Sequence, residues 1–434
     1  MGKETTKVKV IFTTSKPGIS TWPYINYDYQ KRANEIMETL RENSENIEFS
    51  ESLISSREDV ENILREKNEY DGYLVSMIGG MWTEVAEKIA KIGRPVVLAD
   101  DLYAGSGGFL RTFSLAKREK LPLVGIASSN FQDTIDAVKL FSVIKKMKES
   151  KILVIRNSEV DKITSEIKET FGTEVIRMNS QELNSYYEKT NIKEAEKWKD
   201  KWIKEALEVV EPTEDEILKS ARLYLALKKI MEEKKIDAVT IDCLGLYYSD
   251  KLIAYPCLSF FQLNNEGSTG VCEADLDSTI TQLMIRYLAE RPGYVSDPVI
   301  DTASNQIIYA HCVATNRVYG TNGLANSYLI RSHSEDRKGA CIQSLMPLGK
   351  IVTSIKVNIM EKALSIHQGK TVANINEDKA CRTKLAAELN ARKILNNYHF
   401  EKFSWHRVTF YGDWREKVIN LAHLLGLEVF EEDK

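Results

Sequence analysis

Strand-length apolar runs alternate with helix-length amphipathic ones through the first third of the chain, and this alternation constrains the fold more than any other feature. "VKVIFTT" (8–14), "YDGYLVSMIG" (70–79), "RPVVLADD" (94–101) and "LPLVGIAS" (121–128) are interleaved with helical periodicity over 27–43, 81–93 and 130–150. Strands of near-continuous apolar residues need cover on both faces, and crossover helices supply it, so the pattern predicts a parallel sheet. A second such unit starts at "KILVIRN" (151–157) and continues through "TEVIRM" (173–178), a helical stretch over 191–234 and a strand over 236–246. Beyond about residue 300 the texture changes. Residues 305–315, 327–333 and 350–372 read as antiparallel strands between Gly, Asn and Asp turns, and 405–432 returns to strand, helix, strand.

Composition narrows the partners. The 434 residues carry a net charge of -4 with both signs interspersed, which leaves no electrostatic footprint for nucleic acid or an anionic membrane. No apolar run approaches bilayer length, and the Lys-rich start lacks a signal-peptide core, so a cytoplasmic location is expected. The six cysteines show no CxxC spacing and several sit in apolar runs, the pattern of reduced, buried thiols.

The segment "GSTGVCEADLDSTITQL" (267–283) places Glu273, Asp275 and Asp277 within five positions at the start of an amphipathic helix. One acid is explained by helix capping; Glu273 and Asp275, beside Cys272 and after a glycine bend, are not. Loops at the carboxyl ends of predicted strands carry Gly79-Gly80-Met81-Trp82, Gly105-Ser106-Gly107-Gly108 and Ser128-Ser129-Asn130. Such loops let backbone approach a polyol or phosphate, although "GSGGF" fits no nucleotide fingerprint. Each is equally explained as a tight turn. Of the six histidines, His311 and His406 stand at strand ends beside polar turns, whereas His367, His399 and His423 read as peripheral. Carboxylates with one or two imidazoles make a mixed oxygen and nitrogen site suited to Mn2+ or Mg2+.

Taken in order, "YDGYLVSMIGG", "RPVVLADDLYAGSGGFL", "PCLSFFQLNNEGSTGVCEADLDSTIT", "NQIIYAHCVAT", "SYLIRSH" and "WHRVTFYGDW" resemble the L-fucose isomerase/L-arabinose isomerase superfamily, in particular its shorter fucose-isomerase-like members. The resemblance implies two Rossmann-like domains (1–150 and 151–298) followed by a β-rich, barrel-like C-terminal domain (299–434). It also implies a homo-oligomer, a trimer or hexamer, and Mn2+-dependent interconversion of an aldose and a ketose, with Mg2+ as the alternative ion. By the same likeness Asp275 is a metal ligand in the Glu273-Ala274-Asp275 segment, His406 is the late histidine ligand, and His311 matches a histidine between them. Trp22, Trp82, Ser106, Gly107, Asn264 and His333 are the expected sugar contacts. The family's other catalytic carboxylate has no clear counterpart: Asp250 fits no motif, and Glu266 is a nearby substitute.

Aldose–ketose isomerisation moves one proton between C1 and C2 and another between O1 and O2, so it needs a base, an acid and a cation for the enediolate. On this reading Asp275 binds metal, Glu273 binds metal or moves the proton, Glu266 is the alternative base, and Asp277 caps the helix. Three rivals remain open. The same site could act on a modified, for example sulfonated, sugar; the protein could bind a sugar without catalysis; or the cysteines could carry redox chemistry, which their apolar neighbours disfavour.

Overall fold

The computed structural model describes residues 5–66, 69–80 and 82–434. Met81, the first residue of the helix expected over 81–93, lies outside them. The chain forms two compact units, Met1–Lys146 with Glu416–Glu428, and Met147–Arg415 with Val429–Lys434. Among the described residues, no helix is long and apolar enough to cross a membrane.

The first unit alternates strand and helix: β1 (Thr6–Thr13), α1 (Tyr29–Asn43), β2 (Ile47–Ile54), α2 (Arg57–Arg65), β3 (Gly72–Met77), α3 (Glu84–Lys91), β4 (Val96–Asp100), α4 (Ser106–Arg118), β5 (Leu123–Ile126) and α5 (Phe131–Lys148). The strands form one parallel sheet in the order β2-β1-β3-β4-β5. Both faces are covered, so Val8, Val10, Leu74, Val75, Val97 and Leu98 are all fully buried. In α1 the buried Ala33, Ile36, Met37 and Leu40 recur at helical spacing and form the face turned to the sheet. Strand order reverses between β1 and β3. There Thr13 Oγ1 donates to the Gly79 carbonyl at 2.6 Å, and Gly80, at φ +67°, would set a Cβ 2.3 Å from the Thr14 carbonyl. Close backbone approach is therefore a sufficient reason for that glycine.

The second unit opens with β6 (Lys151–Ile155), α6 (Asp161–Phe171), β7 (Glu174–Met178), α7 (Ser180–Glu188), α8 (Ile192–Glu205), β8 (Glu208–Val209), α9 (Glu214–Lys234), β9 (Ala238–Ile241), α10 (Cys243–Tyr248), α11 (Cys257–Asn265), β10 (Thr269–Cys272) and α12 (Leu276–Ala289). A four-stranded parallel sheet runs β10-β9-β6-β7. Two expectations need correction. The helix expected over 191–234 is two helices, because Pro212 and the Thr213/Glu216 capping box restart it after β8. The strand expected over 236–246 stops at Ile241, since Asp242 ends it and Cys243–Tyr248 turns into α10.

The remaining elements are β11 (Tyr294–Asp301), β12 (Gln306–His311), β13 (Tyr328–Arg331), β14 (Cys341–Ser344), β15 (Ile351–Asn358), β16 (Ala363–Asn374), β17 (Thr383–Glu388), α13 (Ala391–Asn397), α14 (Phe400–Phe403), β18 (Arg407–Tyr411), α15 (Arg415–Leu424) and β19 (Glu428–Glu431). Strand order is β15-β18-β11-β12-β17-β16-β19, and β15 also pairs with β16. Six antiparallel strands thus close on themselves, which removes their edges. A smaller sheet, β14-β13-β8, joins β13 in parallel to β8. His367, expected at the periphery, is instead fully buried: Nδ1 lies 2.7 Å from Glu432 Oε2 and Nε2 2.8 Å from the Tyr309 hydroxyl.

Candidate active site

Three neighbouring barrel strands and one turn of the parallel sheet bring a set of titratable side chains together. Asp297 lies within β11, His311 ends β12 and His406 immediately precedes β18, and these strands are adjacent in the order β18-β11-β12. The fourth contributor is the turn between β10 and α12, which leaves the carboxyl end of the parallel sheet. Glu273 and Ala274 both adopt left-handed backbone conformations, with φ of 66° and 51°. Two consecutive non-glycine residues in that region cost of order 1–3 kcal/mol each. The chain tolerates this at the point where Glu273 faces the two imidazoles.

The distances define the arrangement. His406 Nε2 is 3.2 Å from Asp297 Oδ1 and 3.6 Å from Glu273 Oε2, and His311 Nε2 is 3.8 Å from Glu273 Oε1. One ligating atom from each of Glu273, His311 and His406 lies within 4.8 Å of the others. Among the described residues, the buried His311 Nε2 has no hydrogen-bond partner, a costly state for a polar atom unless something else occupies the gap. The imidazole rings stand 5.7 Å apart at 70°.

Asp275, the expected metal ligand, is otherwise engaged. It is the N-cap of α12, its Oδ1 accepting from Ser278 N at 2.9 Å. Its Oδ2 accepts from Lys356 Nζ at 2.6 Å and Ser278 Oγ at 2.6 Å, and lies 2.8 Å from His406 Nδ1. Asp277 does not cap the helix; its Oδ1 accepts from Ile359 N at 2.9 Å instead. Lys356, on β15, is 1% exposed, so its charge is buried and depends on Asp275.

Electrostatics separate these groups. Loss of water pushes the Glu273 carboxyl above its usual range. Burial also works against ionised Asp297, but the His406 hydrogen bond and the charges of His311 and His406 hold it below. Asp275 is buried as well, yet Lys356 and His406 keep it well below the usual range. Burial opposes charge on His406, but its bonds to Asp275 and Asp297 push it up to about 10. His311, with burial dominant, falls to about 4 and is neutral at pH 7.

The other expected residues have different surroundings. Glu266 lies at the surface as the C-cap of α11, accepting from Tyr224 Oη (2.7 Å), Gln262 Nε2 (2.8 Å) and Lys228 Nζ (3.3 Å), none of which belongs to the cluster above. Asp250, which fits no motif, follows α10 with φ +54°, its N–H donating to the Tyr247 carbonyl at 3.0 Å. Asn264 is 1% exposed and locks β10 in place, donating to the Gly270 carbonyl and accepting from Gly270 N and Gln282 Nε2. His333 stacks on Tyr255 at 4.5 Å, with Nδ1 3.9 Å from Asp336. Trp22, Trp82, Ser106 and Gly107 belong to the first unit. Trp22 is exposed there, Trp82 packs on the core beside α3, Ser106 hydrogen-bonds Asp100, and a Cβ on Gly107 would meet open space.

Asp297 and Lys356 escaped the sequence reading. Each had a signal: a charge in the middle of a run rich in apolar residues, Asp297 in "YVSDPVI" and Lys356 in "TSIKVNI", where a buried charge requires a partner.

No family model matches the chain. Curated sulfoquinovose isomerases of Priestia aryabhattai and Priestia megaterium are each 24% identical over 427 residues, covering 90% of this chain and 93% of the relative. A periplasmic ABC-transporter solute-binding protein from Actinobacillus succinogenes, solved with bound D-allose, covers 67% of this chain and 84% of its own at 11% identity. The TM-score of that match is 0.20. Along nearly its whole length, the chain is similar to sugar isomerases.

Proposed function

We propose that this protein is an aldose–ketose sugar isomerase acting on a sulfonated aldohexose, with a divalent cation, Mn2+ or Mg2+, as cofactor. The observation that carries the reading is the convergence of two carboxylates of opposite tendency, Glu273 raised and Asp297 lowered, on two imidazoles. Paired titratable groups driven apart by their surroundings mark an acid/base division of labour. The similarity to two sulfoquinovose isomerases supports the reaction class and the sulfonated substrate.

The donor set fits a hard or borderline cation. At octahedral bonds of about 2.1 Å, neighbouring ligand atoms stand about 3.0 Å apart; Asp297 Oδ1 and His406 Nε2 are 3.2 Å apart, and one ring nitrogen from each of His311 and His406 lies within 4.8 Å of the other. The unpartnered Nε2 of His311 points the same way. Asp297, His406 Nε2 and His311 Nε2 would hold the cation. When bound, it would supply positive charge to the oxygens of the enediolate.

The chain's own residues orient the site and move the carbon-bound proton. Asp275 accepts the Nδ1 proton of His406, which fixes the ring and turns Nε2 toward Asp297 and Glu273, the carboxylate–histidine pairing of metal sites. Lys356 holds Asp275 ionised in that role. Glu273, raised by burial yet 36% exposed at its side chain, takes the proton from one of C1 and C2 and returns it to the other. A carboxyl raised toward neutrality is the better matched for both halves of that transfer.

The test is a substrate panel: metal-stripped protein, with and without added Mn2+, on sulfonated and unmodified aldohexoses. Mn2+-dependent ketose formation from the sulfonated sugar is expected. Turnover on none of them would overturn the assignment.

A further inference from the structure

The cluster above has a sulfur-rich neighbour that isomerisation does not use. Cys257 opens α11, Cys272 ends β10, and Cys312 follows β12 directly after His311. All three are 4% exposed or less. Cys257 Sγ lies 3.4 Å from Cys312 Sγ and also interacts with Cys272. Cys312 Sγ lies 3.6 Å from His311 Nδ1, and the ligating atoms of Cys272, His311 and Cys312 all fall within 4.8 Å of one another. Cys272, Cys312 and His311 thus cluster about one point inside the second unit, and Cys257 joins them through Cys312.

We propose that Cys257, Cys272, Cys312 and His311 Nδ1 form a second, thiophilic cation site, for Zn2+ or Cd2+, behind the carboxylate–imidazole site and sharing His311 with it. A tetrahedral ion with bonds of about 2.3 Å to sulfur and 2.0–2.1 Å to nitrogen sets sulfur atoms about 3.8 Å apart and sulfur about 3.6 Å from nitrogen. The Cys257–Cys312 separation of 3.4 Å and the Cys312–His311 separation of 3.6 Å lie within a few tenths of those values. The donor chemistry is selective, since thiolates favour Zn2+ and Cd2+ whereas carboxylates favour Mn2+ and Mg2+. On binding, the three thiols release their protons to solvent and each sulfur donates a lone pair to the ion. Cys257, at the amino end of the nine-residue α11, has helix-terminal N–H groups to stabilise the resulting charge.

Sharing His311 has a chemical consequence. A neutral imidazole has one free lone pair, so a ring that ligates through Nδ1 carries its proton on Nε2 and presents a donor to Glu273. The soft-ion site and the hard-ion site therefore compete for His311. This competition rests on the function proposed above; the thiol site does not.

The test uses the full-length reduced protein with one equivalent of Cd2+. Cadmium X-ray absorption on the unmodified protein reads the ligand shell directly, and three sulfurs with one nitrogen are expected. A thiolate-to-cadmium charge-transfer band in the ultraviolet should appear, be lost in Cys312→Ser and persist in Cys341→Ser, whose sulfur donates to the Ser332 carbonyl instead. A shell of oxygen and nitrogen only would overturn the proposal, as would a band that Cys312→Ser leaves unchanged. If soft-ion binding is seen without isomerase activity on any sugar, the thiol site stands and the proposed function falls.

Discussion

Replacing Asp275 with Asn isolates the positioning role of this carboxylate. Asparagine keeps an oxygen to accept Ser278 N, so the helix cap survives the change. The lost charge is what matters. Lys356 Nζ, 2.6 Å away with its side chain 2% exposed, would keep a buried charge beside the neutral Ser278 Oγ. Breaking one partner of a buried ion pair costs about 3–5 kcal/mol. For a folding unit of this size, about 2 °C of Tm per kcal/mol gives a fall of about 6–10 °C. His406 would also lose the acceptor at Nδ1 that fixes its tautomer, and loss of such a partner lowers metal affinity about 10–100-fold. Differential scanning calorimetry and Mn2+ titration read the two effects. Adding Lys356→Met to Asp275→Asn should return part of the lost stability, because it removes the orphaned charge, but none of the lost metal affinity. A Tm within a degree of the parent, or a double variant no more stable than Asp275→Asn alone, would refute the reasoning.

Two further outcomes follow from titration. His406 sits at about 10 in the cation-free protein, above its usual 6.5. Its contribution to cation-free stability is therefore complete below pH 6.5 and lost as pH rises through about 10. A cation ligated by Nε2 must displace its proton, so Mn2+ binding should release about one proton at pH 7 and weaken as pH falls, measurable by calorimetry in buffers of different ionisation enthalpy. Glu432, paired with Arg407 at 2.6 Å and His367 at 2.7 Å, is held at about 2, below its usual 4.5. That contribution is complete above pH 4.5 and lost as pH falls through about 2. Glu432→Gln should cost about 3–5 kcal/mol at pH 7 by leaving Arg407 buried without its counter-charge, and acid titration of unfolding should show the gap to the parent narrowing below pH 4.5.

The parallel units were legible because their code is local. Apolar runs separated by helical periodicity give β1, β3, β4 and β5 to within about two residues at each end. By contrast β2, α2 and α4 escape that reading: β2 mixes polar and apolar residues at the sheet edge, and the Gly105–Gly108 segment expected as a loop opens α4 at Ser106. Element ends were less legible where tertiary context decides them, as at Ile241, where an apolar run continues into α10. The site divides along the same line. Glu273, His311 and His406 stood out because polar residues at strand ends suggest function. The roles did not, since Asp275 is drawn to a lysine from a strand about eighty residues later, and no local pattern encodes that contact. Asp297 arrives through the same barrel pairing, which brings β18 beside β11. His367 read as peripheral because a glycine follows closely, whereas its burial depends on Glu432 at the far end of the chain.

The central claim is that Glu273 carries the proton between C1 and C2 while Asp297 and the histidines hold the cation. Solvent deuterium incorporation into a sulfonated aldohexose, followed by NMR on Mn2+-loaded protein, tests it directly. The parent should exchange the C2 hydrogen, and Glu273→Gln should keep its Mn2+ affinity while losing exchange by about 10²–10⁴-fold. Exchange that survives in Glu273→Gln, or that disappears together with Mn2+ binding, would contradict the assignment.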